Sequence, residues 1–211
     1  MRIFVLGGKT RLDRDMTATK AIHLAYPFTE EAVRALHAGE QVLVSGKVFT
    51  GRDRFHKHFA DGGALPFDFR DAALFHCGPV VVQEGAKWRV VAAGPTTSVR
   101  ENPYEPAFIA ASGVRLIIGK GGMDKATLDA CARHGAVYLQ AVGGAAALTA
   151  QTVRRVVDVK FLEEWGAAEA CWQFEMHEFP CVVAMDAHGG DLFAAVRERS
   201  AKTLANLLSF N

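Results

Sequence analysis

The chain has almost no net charge, no closely spaced pair of cysteines, and no long apolar run free of glycine and polar residues. Each absence removes a class of function. With 24 Lys and Arg against 23 Asp and Glu, the formal charge is +1. That excludes the broad basic face needed to neutralise nucleic-acid phosphates and leaves room only for a small local anion site. The longest uncharged stretch, Ala136 to Val153, contains Gln140, Gly143, Gly144, Thr149, Gln151 and Thr152, so it reads as a buried strand, a turn and a helix rather than a membrane span. Cys77, Cys131, Cys171 and Cys181 are separated by 54, 40 and 10 positions. With no CxxC pair and no histidine at metal-ligand spacing, they read as free thiols in a reducing cytoplasm. The opening "MRIFVLGGKTRLDRDM" runs from a short apolar stretch into charges of both signs with no small-residue cleavage site, so export is not expected.

What is present suits one large core. Half of the 211 residues are apolar, and no repeat or Pro-rich or Ser-rich linker divides the chain. The expected organisation is an irregular N-terminal arm, 1–28, and one domain, 29–211. Thr29 followed by Glu30 and Glu31 is a capped helix start, with Gly39 as the stop. "QVLVSGKVFT" then reads as a strand pair and "GRDRFHKHF" as a short helix carrying cations. Apolar strands at "WRVVAAG", "VRLIIG" and "AVYLQAVG" are each followed by a glycine or proline break and a helical pattern, with Asp124 as the cap of "KATLDACARHG". This is the rhythm of a partly parallel α/β sheet. "ACWQFEMHEF" alternates Trp172, Phe174 and Met176 on one face, and "CVVAMDAHGGDLF" is a strand entering a Gly-Gly turn, which adds an antiparallel section.

Three loops at predicted strand ends carry the candidate chemistry: "TGRDRFHK", "GPTTSVR" and "IGKGGM". Ligands of α/β sheets bind at the carboxyl ends of strands. Each loop sets a cation near a glycine: Arg52 after Gly51, Arg100 after Gly94, and Lys120 between Gly119 and Gly121. Glycine admits close approach of the backbone, and a guanidinium fork pairs with a carboxylate in two places. Any one such loop can hold Gly and Arg for solubility alone; three of them converging would suit a small dianion. "GGKT" at 7–10 fails as a phosphate loop, because the motif needs glycine at position 3, where Ile3 stands. His56 and His58 are candidate ligands or bases, but two positions apart on a helix they face different ways, which gives His58 a solvated role. Asp53 is expected to pair with a nearby cation.

"TGRDxxHK", "GPTTxxR", the "GKG" after an apolar strand, "YLQAVGGAAAL" and "WQFEMHEFPCVVAMDAHGGDLF" together resemble the C-terminal domain, or separate β subunit, of the class I fumarases and L-tartrate dehydratases. The resemblance runs from Thr29 to Phe193 with its motifs in order, and the last helical stretch carries little of it. It implies an α/β fold of the swivelling β/β/α kind, with a mixed sheet flanked by helices. It also implies a hydro-lyase using a [4Fe-4S] cluster whose ligands lie on a partner α subunit, so that this chain is half of a hetero-oligomeric enzyme. By motif, Arg52, Arg100 and Lys120 resemble the cations that bind substrate carboxylates, and Thr96 the catalytic hydroxyl near the carbon that loses its proton. Thr97 and His56 lie in the motifs without an assigned role. "FHCGPV" departs from the pattern, with His76 and Cys77 where an aromatic and a small residue are expected. Malate and fumarate are the first substrate pair, L-tartrate the alternative, and a non-catalytic dicarboxylate-binding module the reading from another class.

Overall fold

A computed structural model of the chain describes residues 21–209. "GGKT", Ile3 and most of the expected N-terminal arm lie outside the described residues. The elements run β1 (Ile22–Ala25), α1 (Glu30–Arg34), β2 (Gln41–Thr50), α2 (Asp53–Ala60), β3 (Ala73–Phe75), β4 (Val80–Glu84) and β5 (Lys87–Ala92). A 3-10 turn (Ser98–Glu101) leads to α3 (Glu105–Ser112), β6 (Leu116–Gly119), α4 (Lys125–His134), β7 (Val137–Gln140) and α5 (Ala146–Gln151). The chain continues through β8 (Val153–Lys160), α6 (Leu162–Trp165), β9 (Cys171–Met185) and α7 (Leu192–Leu208). The expected α/β class with a mixed sheet flanked by helices stands.

Two long antiparallel strands, β2 and β9, form the spine. The far edge of β2 is shared end to end by β1 and β3, and that of β9 by β7 and β8. Parallel pairing runs on from β3 through β6 to β7, and β7 returns to β9, so β2, β3, β6, β7 and β9 close on themselves. "QVLVSGKVFT" is therefore one strand and not a pair. "ACWQFEMHEF" and "CVVAMDAHGG" are likewise one strand of 15 residues. The apparent breaks are a shared bend: the β2–β9 register shifts between Val44 and Gly46, where Gly46 has φ 112° and Glu178 opposite has φ 52°. A bulge bends paired strands without ending them.

Period-two alternation places the side chains. Ala73, Phe75, Leu116, Ile118, Val137 and Leu139 point into one core with Trp172, Phe174 and Met176. Their neighbours Leu74, Ile117 and Tyr138 point into a second core with Phe55, Phe69 and Phe108, under α2, α3 and α4. Both faces of the parallel strands are buried, which accounts for their unbroken apolar runs. "WRVVAAG" proves to be β5, half of a separate hairpin with β4, inserted between β3 and β6. The parallel strand before the insertion is the three-residue β3, too short to carry a periodic signal. Ile22–Ala25, within the expected arm, pairs in parallel with β2.

The caps are as the sequence implies at most ends. Thr29 Oγ1 accepts from Ala32 N at 3.2 Å and Asp124 Oδ1 from Thr127 N at 3.0 Å. The first helix stops at Arg34, and Gly39 sits in the turn beyond it, with φ 99°.

Candidate functional site

Four parallel strands end on one edge, at Thr50, Phe75, Gly119 and Gln140. Arg52 and Lys120 leave directly from two of these ends. Arg100 arrives differently: the loop after the hairpin inserts between the ends of β3 and β6, with Thr96 N donating to His76 O at 2.7 Å and Ser98 N to Lys120 O at 3.1 Å. All three cation loops thus meet at the carboxyl edge, although "GPTTSVR" does not follow a strand of the main sheet.

Asp53 joins two of the cations. Arg100 Nε lies 2.9 Å from Asp53 Oδ1 and Nη2 donates to Asp53 Oδ2 at 3.0 Å, while Arg52 Nη2 stands 3.9 Å from the same carboxylate. The expected pairing of Asp53 holds, and it fixes the plane of the Arg100 fork. Arg100 Nη2 also donates to Thr96 Oγ1 at 2.7 Å. A hydroxyl that accepts from a guanidinium keeps its own proton free to donate and has its basicity lowered. Arg52 lies flatter: Nη2 is 3.3 Å from Glu169 Oε1, Nη1 donates to Ala168 O at 3.4 Å, and Nε is buried without a partner among the described residues. Gly78 makes this possible, since a Cβ there would stand 2.5 Å from Arg52 Nη1. Lys120 forms no ion pair among the described residues, and its stem lies near Gly143, where a Cβ would stand 3.7 Å from Cδ.

Gly119 does not leave space for a ligand. A Cβ there would collide with Ser98 Oγ, so the missing side chain admits the serine that locks the 94–100 loop onto β6. Two concavities, of about 580 and 470 Å³, run between the hairpin and β8 and are lined by Trp88, Arg154, Arg155 and Val156. None of the four candidate residues lines either. The edge is an open, charged rim.

Directly beneath it lies a buried polar chain that the sequence marks only in part. His56 Nδ1 is 3.0 Å from Arg52 O, and its Nε2 is 3.2 Å from Glu105 Oε2. His76 Nε2 is 3.0 Å from the same oxygen, and its Nδ1 is 2.9 Å from Ser98 Oγ. The Tyr138 hydroxyl donates to Gly121 O at 2.8 Å and stands 3.1 Å from Ser98 Oγ. Burial works to lower the His56 pKa, but the charge and hydrogen bond of Glu105, with Glu101 and the Arg52 carbonyl, raise it above the ordinary histidine value. For His76 burial prevails and the value is lowered. Burial would raise Glu105, yet the two rings hold it well below the usual carboxylate range. At Glu101 burial dominates and pushes the carboxyl up to about 7. His56, His76 and Glu105 are the set among the described residues whose donor atoms converge within 4.8 Å as metal ligands would. All three side chains are fully buried, and both histidines are already bonded to the same Glu105 oxygen.

The thiols offer no alternative centre. All four cysteines are free and buried, and burial raises each pKa above the ordinary thiol value. Metal ligation needs the thiolate. A [4Fe-4S] cluster does not fit the cysteines of this chain.

The family model described as Fumarase C-terminus matches residues 8–196. This chain belongs to that fumarase C-terminal family. The match takes in part of the expected arm and ends inside α7. Three relatives are substantially similar. "Putative fumarate hydratase class I" of Geobacillus stearothermophilus is 42% identical over 187 residues, covering 88% of this chain and 36% of that protein. "Putative L(+)-tartrate dehydratase subunit beta" of Methanocaldococcus jannaschii is 39% identical over 185 residues, covering 85% and 95% respectively. "L(+)-tartrate dehydratase subunit beta" of Escherichia coli is 35% identical over 173 residues, covering 81% and 86%. The fumarase C-terminal chain thus spans little more than a third of the Geobacillus relative and most of the other two.

Proposed function

We propose that this chain is the β half of a hydro-lyase that removes water from a 2-hydroxy dicarboxylate, with malate to fumarate as the first substrate pair and L-tartrate as the second. The observation that supports it most is the rim: Arg52, Arg100 and Lys120 gather at one edge, with the Thr96 hydroxyl held by Arg100. The names of the relatives agree with a hydro-lyase and divide between the two substrates.

Dehydration breaks a C–H bond next to a carboxylate, and negative charge builds on that carboxylate as the bond breaks. Fixed cations stabilise it, by a few kcal/mol each where water is excluded. Asp53 occupies one edge of Arg100, which orients the fork before substrate arrives. Thr96, placed at the carbon that loses its proton and accepting from Arg100, is a weak base by itself, so moving that proton requires a partner residue on the α subunit. The [4Fe-4S] cluster belongs, in this reading, to the partner α subunit, since the thiols here are scattered, buried and protonated.

Co-expression with an α-type subunit, anaerobic reconstitution, and assay on malate, fumarate and both tartrates tests the reading. Turnover is expected from the complex, and the isolated chain is expected to be colourless and inactive. A brown isolated chain with stoichiometric iron and sulfide, or a complex that binds dicarboxylate without turnover, would overturn it.

A further inference from the structure

We propose that His56, Glu105 and His76 are positioning residues of this rim: a buried chain whose hydrogen bonds fix the three cation loops relative to one another. The inference deepens the dicarboxylate reading and rests on it.

With Glu105 ionised, as the two histidine rings beside it favour, the hydrogen-bond geometry assigns the protons. The Arg52 carbonyl can only accept, so His56 Nδ1 donates to it. An ionised Glu105 also only accepts, so both Nε2 atoms facing Oε2 carry hydrogen. His56 is therefore an imidazolium. Tyr138 gives its proton to Gly121 O, and a Ser98 hydroxyl that donates to His76 Nδ1 leaves His76 neutral, the form that its burial favours.

Each end of this chain grips a different loop. His56 holds the carbonyl of Arg52. The His76 carbonyl takes the amide of Thr96 and its ring takes Ser98, two residues before Arg100. Through Ser98, Tyr138 reaches the carbonyl of Gly121, next to Lys120. Glu105, from α3, is the common acceptor in the middle. Buried ionic groups are poor contributors to stability, and an apolar trio of equal volume often serves a core as well. Here the cost is visible, since Glu105 Oε1 and both Glu101 oxygens lack hydrogen-bond partners among the described residues. What the charged chain provides is directionality that apolar packing cannot give.

The charged and titratable groups facing His56 are Glu105 of α3, Glu101 of the 3-10 turn, His76 just past the end of β3 and the ring of Tyr104, with Asp53 acting on its neighbours from α2. Its raised value means that the imidazolium is complete below the ordinary histidine range and is lost as pH rises through the folded value. Loss of that proton removes a donor from Glu105 and leaves a buried carboxylate short of one partner, so the loops should loosen on the alkaline side.

The test uses the full chain and its partner complex. Nitrogen-15 histidine spectra at neutral pH are expected to show His56 as imidazolium and His76 as the neutral Nε2–H tautomer. Glu105→Gln keeps the shape and removes the charge. It should neutralise His56 and speed amide exchange at Gly51, Thr96 and Ser98 by roughly tenfold or more, with the Trp172 and Val183 amides unchanged. In the complex it should weaken binding of succinate, a non-reactive dicarboxylate, by about tenfold. Glu105→Asp should retain the imidazolium signal. If Glu105→Gln unfolds the chain, the wild-type titration decides, because exchange at the three loop amides must rise in step with His56 deprotonation. A neutral His56 in the wild type, exchange insensitive to its titration, or stoichiometric zinc released by Glu105→Gln would overturn the proposal. Succinate bound equally by wild type and Glu105→Gln would also overturn it; succinate bound by neither, while the loops respond as stated, would instead count against the dicarboxylate reading.

Discussion

At the scale of single residues, Arg100 has the most to lose. Its Nε and Nη2 reach both oxygens of Asp53, and Nη2 also reaches Thr96. Lysine keeps the charge but has no planar fork, so Arg100→Lys would release Asp53 and Thr96 together. In the reconstituted complex it should lower kcat/KM by roughly tenfold or more, equivalent to about 1.4 kcal/mol. Thr96→Ala removes only the hydroxyl. Its effect should fall on kcat, with succinate affinity kept within about threefold; equal loss of succinate binding in both variants, with normal turnover of bound substrate, would make Thr96 a binding residue. These candidates were legible because glycine and cation together at strand ends form a local signal. The support beneath them was not. Glu105 in "NPYEPAF" looks like any first-turn acid of a helix, and only the fold brings it 49 positions back to His56 and 29 back to His76. His76 stood out as an oddity in "FHCGPV", without anything in the sequence to say what it faces.

At the scale of elements, the sequence read well wherever a signal was local and poorly where pairing partners were distant. Thr29 and Asp124 cap the helices they were expected to cap. Trp172, Phe174 and Met176 share one core, as their alternation implies. The β2 strand read as a pair and β9 was divided near Pro180 because a bulge and a break look alike until the opposite strand is known. The insertion of β4 and β5 was hidden for the converse reason: β5 has the apolar pattern of a sheet strand, and the three residues of β3 have almost none. Asp124 offers a direct test of a local signal. Its Oδ1 accepts from both the amide and the hydroxyl of Thr127, each at 3.0 Å, and Thr127 is fully buried. Asp124→Ala therefore removes a cap and strands a buried hydroxyl, and should cost about 1–2 kcal/mol. The denaturant midpoint should fall with the slope unchanged. A change under about 0.3 kcal/mol would mean that the cap is replaced by water.

At the scale of the whole molecule, the rim has the character of half a site. Arg100 is exposed and Arg52 and Lys120 only half-buried, yet cations act strongly only where water is excluded. Apolar side chains stand exposed beside them: Val99 at 52%, Val142 at 63% and Leu148 at 66% exposure. Val142 and Leu148 line a groove of about 220 Å³ with Phe179 and Pro180, just beyond the end of β7 and near the Lys120 loop. Charged residues bordered by uncovered apolar ones suit a surface that another subunit closes. If the chain is the β half of a hydro-lyase, the partner covers this face. Hydrogen exchange on the chain with and without the α subunit should then show new protection at residues 51–53, 96–100, 120–122 and 142–148. The outer strand of the hairpin, 80–84, carries none of the candidate residues and should exchange as before. Protection confined to the hairpin and β8, which line the concavities of about 580 and 470 Å³, would place the partner away from Arg52, Arg100 and Lys120, which could then share no substrate with it. The cations would then act alone at a solvated edge, too weakly screened from water to stabilise the developing charge that dehydration requires.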